Sequence, residues 1–301
     1  CNSDGHKGRP GASYPGASMF GAYGGLTCFY AEELSRDGIF ESLRKRHHYG
    51  TTGNRLHLTV DANFESDSKL FDLDPSAFDT ATSTPVKTAM MGDIVQTSDN
   101  SATLVVNVAS PTPIERVEVR NGTEIVETLR GYNVNDLGTR YRVIWSGAEY
   151  RGRGRNSSWI GEATFNGAKI LRMEKINAWN HERLLEVEGD TKVKWDAITT
   201  GNYGGFDVWL DNAEGAELTI ETNHGSLNCN LGEMGIDDIV LDCGGLERKL
   251  RVIRLPEGNP HLELSGEVPV NLKPAGDNPL WVCVTTEDGF QAWSSPIFVF
   301  N

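Results

Sequence analysis

Long apolar runs are missing from this chain: no stretch approaches the roughly 20 residues of a membrane span, so no membrane partner is expected. Positive charge is also scarce. A formal net charge of −14 over 301 residues makes a poor surface for a polyanion, and no nucleic-acid partner is expected. The five cysteines (Cys1, Cys28, Cys229, Cys243 and Cys283) include no Cys-x-x-Cys pair and read as free, mostly buried thiols. A P-loop, a dinucleotide fingerprint, a Gly-x-Ser-x-Gly elbow and any repeat of fixed period are absent as well. The nucleotide-binding and serine-hydrolase readings that rest on those motifs therefore have no support.

What is present begins with Asn2-Ser-Asp-Gly-His-Lys-Gly-Arg-Pro-Gly11, which puts a carboxylate, an imidazole, two cations and three glycines within ten residues. Asp4 and His6 stand two apart, so extended backbone turns both to one side, as a metal ion would need. Gly5, Gly8 and Gly11 permit the close backbone approach of a loop folded round an ion. Lys7 and Arg9 are candidate contacts for an anionic small-molecule substrate, on charge and position. After a Gly- and Ala-rich loop, Leu26–Ala31 reads as a short strand. A helix should follow, with Ser35 as N-cap, Ile39, Phe40 and Leu43 as its apolar stripe, and Arg44, Lys45 and Arg46 in its last turn. A strand over 49–60 would complete strand, helix, strand, the grammar of an α/β layer.

From Asp61 to about residue 89 the chain is acidic and weakly periodic, and reads as a solvated linker or insertion without EF-hand spacing. From Met90 onward it reads as β: short runs spaced by Gly-rich turns, with Asn121-Gly122 as a hairpin turn. These 210 or so residues predict one elaborated sandwich or two small ones. All seven tryptophans lie here; exposed they would form a sugar platform, packed between sheets they are core, which is the expected arrangement. Arg151-Gly-Arg-Gly-Arg155 suits an anion by geometry, but reads first as a solvated hairpin rim. Of the other histidines only the adjacent pair His47-His48 is close in sequence, and adjacent residues at a helix end diverge.

Asn2-Ser-Asp-Gly-His-Lys-Gly-Arg-Pro-Gly-Ala-Ser-Tyr-Pro-Gly16, Gly24-Gly-Leu-Thr27 and Tyr49-Gly-Thr-Thr-Gly53 together resemble the end of a PHP (polymerase and histidinol phosphatase) module in a bacterial family with a β-rich tail. The tail is similar too, at Trp145-Ser-Gly147, Arg151–Arg155, Thr199–Phe206, Gly244–Arg248 and Glu287–Pro296. This resemblance covers nearly the whole chain apart from about 66–88. It implies a fold that is α+β overall: the N-terminal remnant of a distorted β/α (PHP) barrel over 1–60, a linker over 61–89 and a mainly β, sandwich-like domain over 90–301. It also implies divalent metal ions (Zn, Mn or Fe) and phosphoester hydrolysis. Of the expected ligands, His-x-His, internal Glu and His residues and a final Asp-x-His, only the last is matched, by Asp4 and His6. The chain is thus expected to be a fragment of a metal-dependent hydrolase, inactive until the missing N-terminal part of the barrel joins it. The alternative is a non-catalytic β-sandwich module that binds a glycan or a protein partner.

Overall fold

The computed structural model describes residues 1, 24–152, 154–178 and 182–301. They form two compact units, one made of Cys1–Gly131 with Pro260–Asn301, the other of Tyr132–Asn259, so the second is inserted in the chain of the first. Among the described residues there are 22 strands, one α-helix and one short 3-10 helix, and no helix is long and apolar enough to cross a membrane.

In the first unit, strands Leu26–Phe29 and His48–Thr51 flank the helix Arg36–Arg44. Ser35 caps this helix as expected, its Oγ accepting from Gly38 N at 3.0 Å. Removing that acceptor in Ser35→Ala should cost about 1 kcal/mol of helix stability, visible as faster hydrogen exchange at the Gly38 amide. The expected apolar stripe is not buried: Phe40 and Leu43 are exposed and only Ser42 is buried along the helix.

The two flanking strands run antiparallel, Leu26 opposite Thr51 and Phe29 opposite His48. Successive staves of a β/α barrel run parallel across their helix, so this segment is no barrel remnant. His48–Thr51 continues instead into a 12-stranded, almost wholly antiparallel sheet through Gln291–Ser294, at the other end of the chain. The expected α+β class with a PHP barrel is therefore corrected to a mainly β architecture of open sheets.

Residues 61–89 also differ from a linker, since most of them lie in the paired strands His57–Phe71 and Ser83–Met90. Leu58, Val60, Ala62 and Phe64 point inward, and Asp61 and Glu65 belong to the outward half of the same alternation. These four join Leu104, Val106, Val108, Val117, Val119, Val282 and Val284 in one core, each large aliphatic contributing about 1.5–3 kcal/mol by burial. The acidic turn between the two strands uses its carboxylates locally: Asp72 accepts from Thr82 N and Oγ1, and Asp74 from Ser76 N. Ile114–Asn121 and Glu124–Leu129 form the hairpin expected at Asn121-Gly122, Gly122 supplying the positive φ of +62°.

The second unit is a sandwich. One five-stranded sheet has the order Ile170–Ile176, Tyr203–Leu210, Arg140–Ala148, Leu246–Leu255, Ile239–Asp242. The other has the order Leu185–Glu188, Lys192–Thr199, Ser157–Asn166, Glu217–Thr222, Gly225–Asn230. Inward residues of both sheets form one core, with alternate residues turned outward.

Candidate functional site

Asp4, His6, Lys7 and Arg9 lie outside the described residues, as do Arg153, Trp179 and His181. Among the described residues no group of three or more His, Cys, Asp or Glu is arranged to hold a metal ion.

His47 and His48 diverge, as adjacent residues should, and each finds a partner within the first unit. His47 Nε2 lies 2.8 Å from Asp93 Oδ1, while Asp93 Oδ2 accepts from Met90 N at 2.8 Å. His48 Nδ1 lies 3.2 Å from Ser295 Oγ, and burial, reinforced by nearby positive groups including Arg46, pushes its pKa down. Arg46, in a left-handed conformation at φ +61°, donates from Nε to Gly92 O at 2.7 Å. Burial raises the Asp61 carboxyl, with a smaller push from the Asp93 charge. The cluster joins the helix exit, the turn after Met90 and the C-terminal segment. With the second Asp93 oxygen and both imidazoles committed to those joints, its role is to hold them together.

Of the four described tryptophans of the second unit, Trp145, Trp159 and Trp195 lie in its core, as expected. Trp145 and Trp195 stack across the two sheets with ring centres 5.0 Å apart and planes 8° from parallel, and Phe206 packs against both. Trp159 is fully buried and donates from Nε1 to Thr199 Oγ1 at 3.0 Å. Trp209 faces outward but is occupied: register sets it between Arg172 and Arg140 on its neighbouring strands, with guanidinium carbons 4.2 and 4.8 Å from its ring centre. None of these four offers a bare ring face on which a sugar could stack.

A different surface remains. On the outer face of the second sheet Ile160 is 56% exposed and Ile198 39%, and Leu184, just before the edge strand Leu185–Glu188, is 41% exposed. Ile160 lies opposite Asp196 and Ile198 opposite Ser158, so the two isoleucines are diagonal neighbours on one face. Arg183 reaches Asp196 at 2.7 Å beside them. Asn223 pins the strand on the other side, accepting from Ile160 N at 2.9 Å and donating to Ser158 O at 2.8 Å. Farther along, the face turns charged, with Lys192 bound to Glu162 and Lys194 to Glu188, each at 2.8 Å. The result is an apolar patch on paired strands, rimmed by polar and charged groups. Its sequence signal is a break in alternation: Trp159-Ile160, Ala197-Ile198 and Leu184-Leu185 are apolar doublets, and in a two-faced strand one member of each must point away from the core. Arg151 and Arg155 are exposed on their loop, consistent with a solvated rim.

No curated protein and no solved structure matches the chain. A family model described as "Protein of unknown function (DUF3604)" matches residues 6–139, under half of the chain. The expected PHP family is corrected on that match. The expected metal-dependent phosphoesterase is corrected on the same match, the mainly β fold and the lack of a metal-holding cluster among the described residues.

Proposed function

We propose that the chain works as a non-catalytic β-sandwich binding module whose partner is a protein. The observation that carries this reading is the patch of Ile160, Ile198 and Leu184 on a face that is otherwise polar or charged. Exposed apolar groups gathered inside a polar rim are the usual composition of a docking surface, where a few central side chains carry most of the affinity. The burial of Trp145, Trp159 and Trp195 and the occupied ring of Trp209 favour a protein over a glycan.

The test compares the immobilised chain, an Ile160→Glu/Ile198→Glu variant and a control, Glu267→Lys, on an exposed strand position of the first unit, presented to an extract of the cells that make the protein. A discrete partner should be retained by the parent and the control. The double variant should lose it by about tenfold or more, since each central contact is worth about 2 kcal/mol. Circular dichroism must show the variant folded. Retention of the same proteins by the double variant sinks the proposal, and a sugar bound by parent and double variant alike on a glycan array replaces the partner class.

A further inference from the structure

The chain has two Asn-Gly pairs, Asn121-Gly122 and Asn166-Gly167, and the fold treats them in opposite ways. Asn-Gly is the dipeptide in which a backbone nitrogen most readily attacks the preceding side-chain amide, because glycine puts no side chain in the path. The reaction needs a free asparagine side chain and a free glycine N–H.

At Asn121 neither is free. The residue is 3% exposed and its Nδ2 donates to Asn278 Oδ1 at 2.9 Å. The nucleophile is held too, Gly122 N donating to Pro279 O at 2.9 Å. Asn166 is the reverse case. It is the last residue of the strand Ser157–Asn166, exposed and turned outward beside the inward Phe165. Among the described residues neither its side chain nor the Gly167 N–H has a hydrogen-bond partner. Gly167 occupies a turn at φ +85° in which an added Cβ would meet only ordinary contacts, the nearest atoms lying at 3.5 Å. No atom therefore crowds Gly167 itself, between the buried Phe165 and Ala168 that anchor the turn on either side.

We infer that Asn166 is a site of spontaneous covalent modification, converting to aspartate and isoaspartate, and that the fold protects Asn121. Gly167 N attacks Asn166 Cγ, a new C–N bond forms, and the side-chain nitrogen leaves as ammonia to give a cyclic imide. Water then opens the imide at either carbonyl. In sum, one amide and one water become one carboxylate and one ammonium ion, and attack at the backbone carbonyl leaves the chain running through the former side chain. The new charge stands directly opposite Glu217 on the adjacent strand, so conversion sets two carboxylates face to face across the ladder.

The full chain, kept at mildly alkaline pH and body temperature, is sampled over days and digested. Mass spectrometry then follows the Asn166 and Asn121 peptides, with electron-transfer fragmentation separating isoaspartate from aspartate. Asn166 should convert to a mixture of both, and Asn121 about tenfold or more slowly, because its reaction must wait for an opening that breaks two hydrogen bonds. In denaturant the two should react at comparable rates, showing that the difference lies in the fold. Equal rates in the folded chain overturn the inference, as does an Asn166 that stays an amide when folded yet converts in denaturant.

Discussion

Asp207→Ala is expected to destabilise the 132–259 unit by about 3–5 kcal/mol, the cost of removing one partner from a buried ion cluster. Asp207 is 2% exposed and Arg142, directly opposite it on the neighbouring strand, is 1% exposed. The pair is bidentate, with Arg142 Nε 2.7 Å from Oδ1 and Nη2 2.9 Å from Oδ2. Arg140 reaches the same Oδ2 from Nε at 3.1 Å and from Nη2 at 2.5 Å. One carboxylate thus orients two guanidinium groups, one of which also packs on Trp209. Alanine would leave both cations in place without it, and their desolvation would go uncompensated by that charge. Amide exchange resolved to the strands Arg140–Ala148 and Tyr203–Leu210 reads the loss in this unit, which a single melting curve over two units cannot assign. A loss below about 1 kcal/mol would mean that the cluster behaves as a solvated surface pair.

Local chemistry was legible in the sequence, and pairing across distance was not. Ser35 announced a helix start and Asn121-Gly122 announced a hairpin, because each signal lies inside a few residues. The strand–helix–strand segment was misread because its periodicities say nothing about direction. Whether Leu26–Phe29 and His48–Thr51 run parallel or antiparallel is decided by hydrogen bonds, and the sheet beyond them is completed by Gln291–Ser294. The acidic stretch was misread for a different reason. Its carboxylates give it the composition of a solvated linker, whereas the alternation of Leu58, Val60, Ala62 and Phe64 with an acidic outer face is that of a half-buried strand. Arg140 and Arg142 share a face by alternation, but nothing near them in sequence points to Asp207. The candidate docking patch was legible in principle, since apolar doublets in three strands place their outward members together once register is known.

The heaviest loss in the core is expected from Trp195→Ala, about 3–5 kcal/mol. Trp195 is almost fully buried, stacks on Trp145 and touches Phe206, so its removal empties the contact between the sheets. The stack alone accounts for about 0.5–1.5 kcal/mol beyond area. Its indole N–H has no hydrogen-bond partner among the described residues, so Trp195→Phe forfeits volume but no hydrogen bond and should cost clearly less than alanine. Gly161 supplies an internal check. A Cβ there would lie 2.5 Å from Trp195 Cζ2 and 2.8 Å from Glu221 O, so Gly161→Ala alone should cost about 1–3 kcal/mol through overpacking. In the Trp195→Ala background the first clash disappears while the second, to backbone, stays. The double variant should therefore lose less than the sum of the two single losses without recovering the parent's stability. Strict additivity would show that Gly161 is required for the approach to the Glu221 carbonyl and not for the ring, and exchange protection across the strands Ser157–Asn166 and Lys192–Thr199 distinguishes the two.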